Sequence, residues 1–160
     1  MDLNGISFIY GNERIDIKEP EKIKSFLIQQ WGKNGIFKRM TMDDSTIKIT
    51  NCRFFNNSAS IGGAIYAIGN NLEITNCEFI DNNASIGGAL TLLDSSSKII
   101  NLTGINNTAS NDGGVIYQMY GNLTVSKSTF LSNHAKNGAG ISVAGTKILS
   151  ITNNTFINNS

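Results

Sequence analysis

The sequence predicts an all-β fold: a right-handed, single-stranded parallel β-helix of about 25 residues per coil, with a short N-terminal helix. Three observations predict it. The string IKITNCRFFNNSASIGGAIY from Ile47 matches LEITNCEFIDNNASIGGALT from Leu72 at most positions, at an offset of 25. Glycine pairs recur at Gly62-Gly63, Gly87-Gly88 and Gly113-Gly114, with Gly138-Ala139 as a degenerate fourth, at spacings of 25, 26 and 25. Each unit is built of short apolar alternations, such as Ile47-Lys48-Ile49, broken by Asn-Asn and Gly-Gly pairs, which are strand and turn signals rather than helical ones.

The repeat divides residues 47–160 into units 47–71, 72–97, 98–122, 123–148 and a partial 149–160. Three short strands and three bends account for one unit, and stacking pairs each strand with its copy about 4.8 Å away. A flat solenoid or a pair of ordinary sheets is the competing geometry. Phe54, Phe79, Phe130 and Phe156 are predicted to stack inward, with Gly104 in the aromatic's place in the third unit. Ile49, Ile74, Ile99, Val125 and Ile151 form a second apolar column, and Ile65, Leu90, Ile116 and Ile141 a third. Ala59, Ala84, Ala109 and Ala135 mark a narrow point of the coil. Asn57, Asn82, Asn107, Asn133 and Asn159 are expected to form a ladder at a bend, because Asn tolerates left-handed backbone and its amide can bond its own copy. The third unit carries one extra residue before its glycines.

Residues 1–46 differ in kind, holding 14 charged side chains against 11 in residues 47–160. Leu3–Phe8 and Phe8–Asn12 look like worn repeat motifs, so a partial coil is expected to begin there. It is interrupted by Glu19-Pro20-Glu21, a helix start, followed by Ile23, Phe26, Leu27, Gln30 and Trp31 at helical spacing, with Gly32 and Gly35 as stops. The prediction is a helix of about 11 residues inserted into or capping the solenoid. Trp31 and Phe37 with Lys33, Lys38 and Arg39 could form a ligand patch, but the simpler reading is that Ile23, Phe26 and Trp31 cover an open solenoid end.

The net charge of +1 argues against nucleic acid as a partner. A hydrophobic share of 40% supports a packed core despite the Asn- and Ser-rich composition. No apolar run of about 18 residues is present to span a membrane, and the start lacks the features of a secretory signal. The chain is therefore read as intracellular or as an internal piece of a longer one, and its stop in mid-repeat at Ser160 favours a piece.

Catalytic chemistry finds little support. An inverting hydrolase needs two carboxyls about 6.5–9.5 Å apart, and a calcium-dependent lyase needs clustered acids. Glu73, Glu78 and Asp81 share a unit, and their counterparts elsewhere are Lys48, Arg53 and Asn56, then Thr124, Thr129 and Ser132, so no acids stack. His134, the one histidine, takes the place of Asn83 at a solvated bend. No catalytic residue, metal ligand or cofactor site is assigned. Cys52 and Cys77 hold equivalent positions one coil apart, close enough for a disulfide, though two buried thiols filling a column is the simpler reading. Seven Asn-x-Ser/Thr sequons, at Asn56, Asn83, Asn101, Asn106, Asn122, Asn153 and Asn158, would carry glycans only in a glycosylating cell.

The motif Phe-x-x-Asn followed by Gly-Gly-Ala-Ile occurs as FFNN at Phe54, FIDN at Phe79, FLSN at Phe130 and FINN at Phe156. Its glycine half reads GGAI at Gly62, GGAL at Gly87, GGVI at Gly113 and GAGI at Gly138. This pattern resembles the repeats of the chlamydial polymorphic membrane proteins and of adhesin-like surface proteins of methanogenic archaea and some protists. The resemblance implies a cell-surface or secreted stalk, part of a longer chain, that engages host-cell, matrix or surface-glycan ligands. Pectin lyase-like carbohydrate-active enzymes share the expected fold and supply the rival reading.

Overall fold

In the computed structural model the described residues are 7–10, 13–17, 24–28, 40–42, 46–69 and 71–160. From Thr46 onward the chain winds as a solenoid whose strands pair in parallel with their own copies. The first face stacks Thr46–Thr50, Asn71–Thr75, Ser96–Ile100, Asn122–Ser126 and Ile148–Thr152. The second stacks Arg53–Phe55, Glu78–Ile80, Thr103–Ile105, Thr129–Leu131 and Thr155–Ile157. The third stacks Ile65–Ile68, Leu90–Leu93, Ile116–Met119 and Ile141–Ala144. A fourth, shorter side lies between the second and third, where Asn83–Ile86 pairs with Thr108–Asp112 and isolated bridges join Ser58 to Asn83 and Thr108 to His134. The coil thus has one more side than its three main strands suggest.

Register follows the apolar columns. Ile49, Ile74, Ile99, Val125 and Ile151 are direct partners along the first face, and Ile65, Leu90, Ile116 and Ile141 along the third. A one-residue slip would turn these side chains outward, so burial itself fixes the pairing. The extra residue of the third coil is a bulge: Ala84 faces Ala109, but Ile86 faces Asp112, one residue further on. The third unit begins at Ser97, one residue earlier than its expected start at Lys98, because Ser97 stands in line with Leu72 and Leu123. Its hydroxyl is buried and finds no partner among the described residues. A polar residue in an apolar column hid the period at that point.

Phe54 and Phe79 stack with ring centroids 4.7 Å apart and planes 7° apart, and Phe130 and Phe156 do the same. That spacing is the interstrand distance of the sheet, so the rings rise in step with the backbone. Gly104 interrupts the column, as expected, but the core does not open there. A Cβ on Gly104 would sit 2.9 Å from both methyls of Val115, which fills the space of the missing ring. Positions equivalent to Val115 are Ala64, Ala89 and Gly140, each small where its coil carries a phenylalanine. Gly104→Phe alone is therefore expected to destabilise by collision. Val115→Ala alone is expected to cost about 2 kcal/mol through the cavity it leaves. The double variant rebuilds the Phe79–Ala89 arrangement and should be more stable than Gly104→Phe, a coupling measurable by urea denaturation.

The N-terminal part departs from the expected partial coil and helix. Ser7–Tyr10 and Glu13–Ile17 form an antiparallel pair, and Glu13–Ile17 continues antiparallel onto Thr46–Thr50. Lys24–Ile28, inside the segment expected to be helical, is a strand antiparallel to both Ile65–Ile68 and Met40–Met42. The first coil presents unpaired backbone on its first and third faces, and a strand satisfies those groups where a helix cannot. Among the described residues there is no helix. The remaining residues of the predicted helix, with Trp31, Lys33, Phe37, Lys38 and Arg39 of the predicted patch, lie outside the described residues.

Candidate functional site

The most specific interior feature is the asparagine ladder. Asn57, Asn82, Asn107 and Asn133 are buried, at no more than 2% exposed. The Nδ2 of Asn57 donates to Oδ1 of Asn82 at 2.9 Å, Asn82 to Asn107 at 2.9 Å, Asn107 to Asn133 at 3.0 Å and Asn133 to Asn159 at 2.9 Å. The second Nδ2 proton reaches back to the carbonyl of the preceding aromatic position: Asn82 to Phe54, Asn107 to Phe79, Asn133 to Gly104 and Asn159 to Phe130. Each Oδ1 also accepts the backbone N–H of the asparagine before it. The side chain therefore satisfies the bend where the strand ladders stop.

The left-handed backbone expected at these asparagines lies one residue earlier. Asn56, Asp81, Asn106, Ser132 and Asn158 have φ of 50–55°, and Asn51, Asn76, Asn101, Lys127 and Asn153 repeat that geometry at the first bend. In an Asn-Asn pair the first residue turns the chain and the second ties it down, a division that composition does not show. Gly62, Gly87, Gly113 and Gly138 also have positive φ. Their partners Gly63, Gly88 and Gly114 have a different role: a Cβ there would lie 2.0–2.1 Å from the carbonyl oxygen of the next coil. The motif halves thus have separate jobs, turning and close stacking.

Cys52 and Cys77 are buried thiols in one column with Leu102 and Ser128. Cys77 Sγ accepts the backbone N–H of Cys52 at 3.4 Å, while each thiol lies 3.3 Å from the carbonyl two residues before it. Hydrogen bonding to the Cys52 side chain, then burial, raises the Cys77 thiol far above its ordinary 9.0, outweighing the Cys52 backbone N–H, which favours the thiolate. The unfolded chain loses this proton above about pH 9 while the folded chain keeps it, so rising pH favours unfolding. Unfolding free energies from urea denaturation are expected to fall between about pH 9 and 10.5, by up to about 1.4 kcal/mol per pH unit, and to fall less in Cys52→Ala/Cys77→Ala.

On the outer surface of the first two faces, charges pair across coils. Lys48 Nζ lies 2.6 Å from Glu73, whose carboxyl is held below its usual range by that contact, and Lys98 flanks it from the other side. Arg53 lies 3.3 Å from Glu78 and packs over Phe55, 5.5 Å from the ring centroid. Such exposed pairs add little stability, but they set a cation beside each of these two acids. His134 is exposed, in register with Thr108 and through it with Asn83, and its ring lies 3.1 Å from Ser160 Oγ. The sequon residues Asn56, Asn83, Asn101, Asn106, Asn153 and Asn158 are exposed, while Asn122 is half-buried with its Nδ2 on Ser96 Oγ at 3.3 Å. Among the described residues no three His, Cys, Asp or Glu side chains converge as metal ligands, and no helix is long and apolar enough to cross a membrane.

A family model described as a right handed beta helix region matches residues 43–160, well over half of the chain. No curated protein and no solved structure gives a match.

Proposed function

The chain belongs to the right-handed β-helix family, and from that premise we propose that it is a non-enzymatic rod segment of a cell-surface or secreted adhesin-like protein. The observation that carries the reading is the unbroken register of the first face from Thr46–Thr50 to Ile148–Thr152. Outward positions on such a face repeat every 25 or 26 residues, so Lys48, Glu73, Lys98, Thr124 and Ser150 form one straight row. A row of this kind suits repeated, low-affinity contacts with an extended ligand, such as a matrix polymer or surface glycan, whose summed strength comes from multivalency. The pairing of Glu73 with Lys48 and of Glu78 with Arg53 supports a binding role over an acid–base one. The likeness of the Phe-x-x-Asn and Gly-Gly motifs to adhesin-like repeats points the same way.

The test is retention of the purified protein on glycan arrays, matrix proteins and cultured cells, alongside an assay for cleavage of polygalacturonate and related polymers. Retention that weakens when Lys48, Glu73 and Lys98 are replaced together by Ser, without polymer cleavage, is the expected result. Cleavage of a polysaccharide would overturn the non-enzymatic reading. Absence of retention on every surface would leave a spacer and remove adhesion.

A further inference from the structure

The third coil carries a polar pair inside the core. Ser97 stands in the inward column Ile47, Leu72, Ser97, Leu123 and Leu149 of the first face. Gln118 stands in the column Ala67, Leu92, Gln118 and Val143 of the third face. No other described coil is polar at either position. Ser97 is 4% exposed and Gln118 fully buried, each with a coil stacked on either side.

Gln118 is held in one orientation. Its Nε2 donates to Ser95 O at 3.0 Å and to Tyr120 O, so both protons are spent on the two corners that lead from the third face to the first. Turning the amide over would set its oxygen against these two carbonyls. Oε1 therefore points away from them, and it is buried without a partner among the described residues. Ser97 Oγ is in the same condition. Ser97 follows Ser95 by two residues on the same buried side of the strand, about 7 Å further on, so both oxygens lie at one inner corner.

A buried oxygen without a partner is costly, and two at one place call for a shared one. The column also provides room. Serine matches leucine only as far as the γ atom, so the methyls that Leu72 and Leu123 place in this column are missing at Ser97. That space suits one water, whose share of liquid volume is about 30 Å³. We propose that Ser97 and Gln118 form a buried binding site for a single water molecule, which accepts from Ser97 Oγ and donates to Gln118 Oε1. The water ties the first face to the third across the corner, by hydrogen bonds where Leu72 and Leu92 of the preceding coil rely on apolar burial.

A high-resolution crystal structure of the wild type is expected to show one water within about 3.2 Å of both oxygens. In solution, NMR should give Overhauser effects from water to the methyls of Leu72 and Leu123, which are at most 1% exposed and out of reach of bulk solvent. Ser97→Leu/Gln118→Leu rebuilds the Leu72 and Leu92 arrangement, and should abolish those effects without lowering the melting temperature. Ser97→Leu alone expels the water but strands Gln118 Oε1, so it should melt below the double variant. A direct bond between Ser97 Oγ and Gln118 Oε1, a wild type without water at this corner by both methods, or single and double variants that melt alike would each overturn the proposal.

Discussion

Asn107→Ala should be among the most damaging single substitutions in the repeat region. Asn107 is completely buried, and its Oδ1 accepts both the backbone N–H of Asn82 at 3.0 Å and the Asn82 Nδ2 at 2.9 Å. Its own Nδ2 donates to the Phe79 carbonyl at 2.8 Å. Truncation removes these partners together, deep in the bend, where water does not enter. Each buried group left without a partner costs about 1–3 kcal/mol, so a loss of about 4 kcal/mol is expected for the set. That is a large share of the ~5–15 kcal/mol by which domains are stable. Denaturant unfolding should show the midpoint falling with little change in slope. Asn107→Asp tests the donor role separately: it keeps an acceptor of the same shape but cannot donate to Phe79 O when ionised, and should also be destabilised. A loss under about 1 kcal/mol in Asn107→Ala would show that the ladder is incidental to stability.

Gly88→Ala is the second large effect. The added methyl would sit 2.1 Å from Gly114 O and 2.7 Å from Thr108 O, both backbone atoms of the next coil. No rotamer relieves that contact, so two coils must move apart and weaken the ladders between them. A cost of about 3 kcal/mol or more is expected, at the upper end for overpacking. Gly114→Ala should behave alike, since its Cβ would lie 2.0 Å from Ala139 O. Thermal unfolding of the two variants beside the wild type would check both expectations.

Most of the solenoid was legible in the sequence because each column is chemically distinct and repeats at a near-constant offset. Phenylalanine, isoleucine, asparagine and the glycine pairs appear where the pairing puts them. The division of labour within Asn56-Asn57 was not legible, since two identical residues carry no mark of which one turns and which one bonds. The compensation of Gly104 by Val115 was present in the sequence as two reciprocal columns, but it becomes visible only when the columns are known to touch. The strand at Lys24–Ile28 went the other way from its helical spacing because an uncovered sheet edge overrides local preference. The outer faces gave the weakest signal. Core columns are restricted by packing, whereas outward positions such as Lys48, Glu73 and Thr124 escape that restriction and are held within the chain by no more than the exposed Lys48–Glu73 pair.

The hydrogen bonds that join coils connect residues 23 to 29 positions apart, as in Asn57 to Asn82 and Asn133 to Gly104. Pulled from one terminus, such a molecule does not shear all at once. Load falls on the outermost coil alone, whose bonds break like the teeth of a zip before the next coil feels the force. Each coil freed pays out about 85 Å of extended chain, so the solenoid is expected to lengthen in steps under tension while its remaining coils stay folded.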